Sequence, residues 1–322
     1  RMLGASDLLL EDCVTYLRWQ LAFAPSLMLQ IQFQMYFVTE GKPGIGLFLT
    51  LLAGIANAAL DYVLIVPMRM GIAGAAIATV TGYTIPALIG LIYFAAARQS
   101  LWFVRPRFVK KELGEACLNG SSEMVTNLSS GVITFLFNLM HFAGEDGVAA
   151  ITIIQYFQFL LNALFMGFSQ GVSPVISFNY GSRNHKQLRQ VFKTSLIFTA
   201  ASSLAVFLMA RLGGSLVVEI FARMGTPVYE LARHGFMIFA CSFLFSGFTI
   251  FSSALFTALS DGRISAIISF VRTFGLIITS LLVLPFIIGM DGVWLAIPIA
   301  EFGGILLCLY FLRKYKTRYH YA

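Results

Sequence analysis

Two polar residues lie four positions apart in a segment that is otherwise apolar. Residues 55–62 read IANAALDY and contain Asn57 and Asp61. In a helix, side chains four residues apart share one face, so this amide and this carboxylate form a single polar spot. A carboxylate inside a membrane helix costs at least about 2.5 kcal/mol unless a partner compensates it. The pair therefore indicates a site that binds a cation or carries a proton, or else a protonated aspartate that holds two helices together.

The composition indicates that lipid surrounds this segment. The chain is 58% hydrophobic and 11% charged, whereas soluble domains carry about 25% charged residues. This excludes an ordinary soluble protein and predicts an all-α integral membrane protein. The net charge of +7 comes from Lys and Arg in short connectors, a pattern that does not indicate nucleic acid binding. The four cysteines have neither CxxC nor metal-site spacing, so we expect no disulfide framework, no zinc and no resident cofactor.

Apolar stretches of about 20 residues predict nine transmembrane helices. Basic residues concentrate in the connectors around 97–111 and 181–193 and in the tail after 312, while the connector GED between them is acidic. By the positive-inside rule, the C-terminus is cytoplasmic and the protein is a multi-pass protein of the plasma membrane. The predicted spans are 12–38, 44–66, 72–97, 116–143, 148–172, 190–220, 229–258, 264–288 and 292–312.

An internal repeat relates the first three spans to the last three. Gly41 of TEGKPGIG corresponds to Gly262 of LSDGRISA, and GIAGAAIAT corresponds to GMDGVWLAI. Both copies begin on the same side of the membrane, so the repeat is parallel. With a six-helix repeat unit, three further helices are expected before residue 1, in a twelve-helix transporter of two lobes. Residues 1–112 would then form the second half of the N-lobe and residues 113–322 a complete C-lobe.

Several motifs resemble those of one transporter family. GVSPVISFNYGSRN at 171–184, LGAS before a Tyr-bearing helix, N…LD followed by GIAGAAIAT, and the glutamate in GSSEMVTNLSSG occur in the order of the multidrug and toxic compound extrusion (MATE) transporters. The resemblance implies two lobes across a central cleft and export of amphipathic, often cationic compounds, driven by Na⁺ or H⁺. It places the cation site at Asn57, Asp61, Thr79 and the Ala75 backbone. Its partners are the small-molecule substrate and membrane lipid, with no obligate protein partner.

The choice between Na⁺ and H⁺ depends on the oxygen ligands around Asp61. A hard cation needs several, and Asn57, Thr79 and a carbonyl freed from the helix at Ala75 would supply them. A proton needs only the Asp61 carboxylate. Because Asn57 and Thr79 have no role in carrying a proton, we predict Na⁺ coupling and retain H⁺ as the alternative.

Two further sets of polar residues are candidates for contact with substrate. Glu123 lies among small polar residues of the fourth span and matches a family glutamate linked to cation or drug handling. It would provide a counter-charge for a cationic substrate, or be hydrated near the end of its helix. Gln155, Gln158 and Asn162 lie on one helical face, which would line a cleft or hydrogen-bond to a neighbouring helix.

Opposite charges in the last two spans predict an ion pair. Measured from the cytoplasmic ends at about 1.5 Å per residue, Arg272 is about 14 Å deep and Glu301 about 17 Å deep. These depths allow a salt bridge, and we favour a structural role in helix packing.

Three other functions were weighed against cation-coupled export. A lipid-linked saccharide flippase of the same superfamily would be expected to carry more basic residues inside the cleft than Arg272 alone. An intramembrane enzyme is disfavoured because HExxH and paired-aspartate motifs are absent from the sequence. An inactive truncated product is the last alternative.

Overall fold

The computed structural model describes residues 7–96, 101–139 and 144–322, and within them the regular structure is helical, without strands. This confirms the predicted all-α class. The chain divides into two compact units, residues 1–107 and 108–322. This division lies five residues before the lobe boundary that the sequence predicts.

Four helices lie in the described residues of the first unit. The first predicted span, 12–38, is not one continuous helix, because α1 and α2 meet at Phe23 with a bend of 52°. Pro25 explains the break: it has no N–H to donate to the Leu21 carbonyl, and its ring conflicts with that carbonyl. The helices are α1 (Asp7–Ala22), α2 (Ala24–Thr39), α3 (Pro43–Ile65) and α4 (Gly71–Ala96).

Helix α4 packs against the other three helices of this unit, and its glycines permit close contact. A Cβ on Gly90 would lie 2.4 Å from a ring atom of Phe33 and 2.8 Å from its Cβ. We therefore expect Gly90→Ala to lower the free energy of unfolding by about 1–3 kcal/mol, because the Phe33 backbone would have to move. Gly54→Ala in α3 is the matched control, since a Cβ there meets nothing within 4 Å. Equal stability of the two variants in a denaturant titration would contradict this packing.

The second unit contains eight helices. Helices α8 and α9 are joined by a 3₁₀ turn, Ala240–Ser242, and α10 continues into α11 through a π-helical segment, Val271–Ile277. The bounds are α5 (Lys110–Leu139), α6 (Gly144–Gly181), α7 (His185–Phe221), α8 (Pro227–Phe239), α9 (Phe243–Ala258), α10 (Gly262–Phe270), α11 (Ile278–Ile288) and α12 (Met290–Tyr319).

Within the described residues every predicted span coincides with helix, and positions 97 and 140–143, at the ends of the third and fourth spans, lie outside those residues. Fewer than nine of the spans are strongly apolar. Within the described ranges, seven helices are long and apolar enough to cross a membrane, or eight when the bent pair α1–α2 counts as one span. The predicted span that does not meet this test is the fourth, which falls on α5. The charged first turns and many small polar residues of α5 lower its hydropathy. Large apolar side chains such as Leu212, Phe159 and Phe178 are at least 74% exposed. Such a surface is covered by lipid in a multi-pass membrane protein.

Candidate functional site

The predicted cation site lies along the contact between α3 and α4. A Cβ on Gly82 would lie 3.1 Å from the Cβ of Asn57, and one on Gly74 would lie 3.0 Å from the Cβ of Leu64. These two contacts define an antiparallel register in which Asp61 is level with Ala78. Asn57 and Asp61 of α3 therefore lie at the same depth as residues 78–82 of α4, which include Thr79, whereas Ala75 is level with residues 63–64.

Asp61 has an uncompensated oxygen in this interface. Its side chain is half-buried, and Oδ1 is inaccessible to solvent and has no hydrogen-bond partner within the described part of the chain. A buried carboxylate oxygen without a partner is costly, and the cost falls when a proton, a water molecule or a cation reaches it. Among the predicted ligands, Asp61 is thus the one with a buried oxygen that has no hydrogen-bond partner among the described residues.

Thr79 and Ala75 contact each other within α4. Thr79 Oγ1 donates to the Ala75 carbonyl at 2.9 Å, and the helix is continuous from Gly71 to Ala96. The structure therefore does not show the freed carbonyl that was expected at Ala75. A threonine hydroxyl in a membrane helix commonly bonds to the carbonyl four residues earlier, which leaves the helix unbroken. The Thr79 oxygen keeps lone pairs that can still accept a hydrogen bond or bind a cation.

Helix α1 contributes polar groups that the sequence analysis missed. The Tyr16 hydroxyl lies 3.5 Å from Thr79 Oγ1, and the Tyr83 hydroxyl donates to Gln20 Oε1 at 2.8 Å. Gln20 Nε2 is buried and has no partner among the described residues. Tyr16 and Gln20 are four residues apart in an apolar span, which is the same signal that identified Asn57 and Asp61. Applied to α1, that rule would have found them.

In the second unit, the predicted substrate residues occupy two helices. Gln155, Gln158 and Asn162 lie half-buried on one face of α6, and Asn162 Oδ1 has no partner among the groups described. Glu123 is exposed on α5, and its backbone carbonyl accepts from Asn127 Nδ2 at 2.9 Å. No described contact joins Glu123 to the three α6 residues.

The structure brings Arg272 and Glu301 together. Arg272 Nε donates to Glu301 Oε1 at 3.0 Å, and Nη2 donates to the same oxygen. The second carboxylate oxygen accepts from Thr249 Oγ1 at 2.8 Å, a partner on α9 that sequence reasoning did not identify. Glu301 is 1% exposed and Thr249 is fully buried. Arg272 belongs to the π-helical segment.

Comparison with known proteins identifies the class. The MatE family model matches residues 122–282, half of the chain. The chain is 24% identical over 320 residues to the multidrug export protein MepA of Staphylococcus haemolyticus, and the match covers 98% of this chain and 70% of that protein. The chain therefore belongs to the MatE family, and the resemblance to MATE transporters is confirmed.

Solved structures share the fold. An outward-facing multidrug resistance MATE transporter of the MOP superfamily matches with a TM-score of 0.90 at 21% identity, covering 100% of this chain and 73% of that one. A MOP-superfamily transporter from Pyrococcus furiosus matches with a TM-score of 0.90 at 20% identity, covering 98% and 72%. Neither these matches nor the family assignment favours the flippase alternative.

Proposed function

We propose that this protein exports amphipathic, cationic small molecules by antiport against Na⁺, and that it is not an enzyme. The family assignment and the similarity to a multidrug export protein support export. The observation that carries the coupling proposal is the buried oxygen of Asp61 between two closely packed helices, which no described group hydrogen-bonds. The basic end of α12 is assigned to the cytoplasm by the distribution of Lys and Arg.

The neighbouring groups favour Na⁺ over H⁺ as the coupling ion. Asn57 is one helical turn from Asp61, and the Thr79 hydroxyl lies at the same depth on α4, beside the Tyr16 hydroxyl. Neutral oxygens around one carboxylate suit a hard cation, whereas a proton requires only the carboxylate. If H⁺ is the coupling ion instead, Asp61 alone carries it.

We propose that the polar face of α6 and the Glu123 carboxylate bind the substrate. Gln155, Gln158 and Asn162 provide amides on one half-buried face, and Asn162 has an oxygen that no described group contacts. The exposed Glu123 side chain supplies a negative charge suited to a cationic compound. Amphipathic compounds would place their apolar parts against neighbouring aromatic and aliphatic side chains.

The test is transport in proteoliposomes with one gradient at a time. A Na⁺ gradient at equal pH should drive export of a cationic dye, and Asn57→Ala or Thr79→Ala should weaken the apparent Na⁺ affinity by about 5- to 30-fold. This range corresponds to about 1–2 kcal/mol for one neutral ligand.

Thr81→Ala is the control, because Thr81 makes the same hydroxyl-to-carbonyl bond within α4, to Ile77 at 2.8 Å. It should leave the Na⁺ affinity unchanged. Export that follows a pH gradient alone, and is indifferent to Na⁺ and to both substitutions, would show that Asp61 carries a proton.

A further inference from the structure

The surface of the second unit contains an apolar groove between α7, α9 and α12, of about 380 Å³. Leu196, Ile197 and Ala200 of α7 form one wall, and Leu309 and Leu312 of α12 form the other. Ile197 is 61% exposed and Leu309 is 43% exposed, so the groove opens to the surroundings of the protein. In a membrane protein those surroundings are lipid chains.

The interior and one side of the groove are closed by protein. Phe248 of α9 and the buried Cys308 of α12 contribute to its lining. Tyr321 bridges the two walls, since its ring lies 4.9 Å from that of Phe192 and its hydroxyl donates to the Leu312 carbonyl at 2.7 Å. A ligand would therefore enter from the membrane and extend along the groove.

Two lysines continue the walls of the groove toward the membrane surface. Lys193 precedes Leu196 and Ile197 by three and four residues, which places it on their face of α7. Lys316 follows Leu312 by four residues on the matching face of α12. Both lysine side chains are exposed, and neither side chain forms an ion pair, hydrogen bond or ring contact with the described residues. Nearby Lys314, in contrast, lies over tyrosine rings.

The two helices contribute no carboxylate of their own at this end. In sequence, α7 has no acidic residue before Glu219, and α12 has none after Glu301. The nearby carboxylate of Asp261, at the start of α10, accepts a hydrogen bond from the Tyr319 hydroxyl. The mouth of the groove therefore combines an apolar channel inside the membrane with the positive charge of two lysines at headgroup level.

We propose that this groove binds an anionic phospholipid, with one acyl chain between α7 and α12 and the phosphate between Lys193 and Lys316. Basic pockets between transmembrane helices bind anionic headgroups, and each lysine near the surface contributes about a fivefold gain in affinity. A cationic drug would be repelled by these lysines. Symmetric docking of a second copy at this groove is also disfavoured, because it would bring the same positive charges together.

The first experiment tests whether the groove prefers an anionic headgroup. The purified chain in detergent is titrated with phosphatidylglycerol or phosphatidylcholine, and bound lipid is measured by native mass spectrometry. The wild type should bind phosphatidylglycerol about 25-fold more tightly than phosphatidylcholine. Lys193→Ala and Lys316→Ala should each reduce the preference about fivefold, and the double variant should lose it. Arg263→Ala removes an exposed cation at the start of α10 and should change nothing. Equal affinity of the wild type for both lipids, or equal effects of the three arginine and lysine variants, would overturn the proposal.

A second pair of variants tests the groove. Ala200→Phe places a ring between the walls and should weaken both lipids at least tenfold, whereas Ala201→Phe is the control at an exposed position one residue along α7. If Ala200→Phe does not fold, the lysine variants still test whether the groove binds an anionic phospholipid. Identical lipid binding by the two phenylalanine variants, or occupation of the groove by a second copy seen as a dimer mass, would overturn the assignment.

Discussion

Asp61→Asn is expected to abolish cation-driven export while leaving the protein folded in the membrane. The substitution keeps the shape of the side chain but removes the charge that a cation or a proton must neutralise. Losing a charged ligand of this kind costs about 3 kcal/mol or more, so the transport rate should fall at least about 100-fold at a fixed gradient. This expectation holds for both coupling ions, because Asn cannot carry either.

The same substitution should not destabilise the fold. Asp61 Oδ1 is buried and has no hydrogen-bond partner in the described part of the chain, so replacing the carboxylate with a neutral amide removes a desolvated charge instead of breaking a bond. Thermal unfolding in detergent should occur at the same temperature as in the wild type or slightly above it. Loss of transport with retained stability separates a coupling role from a structural one.

Asp291→Asn is the matched control for this experiment. It makes the same chemical change at an aspartate whose side chain is 53% exposed and pairs with His234 at 2.8 Å. Export by this variant should remain near the wild-type rate. Dye export by Asp61→Asn at the wild-type rate would exclude Asp61 as the coupling residue.

The sequence predicts the helical architecture well because hydropathy and helical periodicity depend on local residues. The first span also contained the information for its break, since Pro25 cannot continue a helix through Phe23. The π-helical segment Val271–Ile277 is different: it contains no proline, and its geometry depends on packing against α12. Local patterns therefore predict where helices run but not this change in their hydrogen bonding.

In the candidate site, too, features set by local spacing were predictable and contacts between distant segments were not. The spacing of Asn57 and Asp61 predicts a shared face, because four residues make about one helical turn. Contacts between distant segments carry no such signal: Thr249 and Glu301 are 52 residues apart, and Tyr16 and Thr79 are 63 apart. The free carbonyl expected at Ala75 also depends on long-range contacts, because a helix opens only where tertiary contacts replace its lost hydrogen bond. The continuous helix α4 does not show that opening.

Arg272→Met should destabilise the second unit by about 3–5 kcal/mol, because it leaves the Glu301 carboxylate buried with Thr249 as its remaining donor. Methionine is the informative replacement. A Cβ on Gly304 would lie 3.7 Å from Arg272 Cγ, so the arginine stem packs over that glycine and methionine preserves this contact. Arg263→Met, at an exposed position, should change stability by less than about 0.5 kcal/mol.

The double variant Arg272→Met/Glu301→Leu should recover most of the lost stability. Removing both charges eliminates the desolvated carboxylate, and well-packed apolar residues often replace a buried ion pair without loss. A double-mutant cycle, measured by denaturant unfolding in mixed micelles, should therefore give a coupling energy of at least about 1.5 kcal/mol. A Thr249→Val variant should cost about 1 kcal/mol by itself and less once Glu301 is leucine, because its hydroxyl then keeps only its bond to the Ser246 carbonyl at 3.0 Å. Additive effects of the Arg272 and Glu301 changes would mean that the two charges contribute independently, and that the pair does not hold α12 against the π-helical segment.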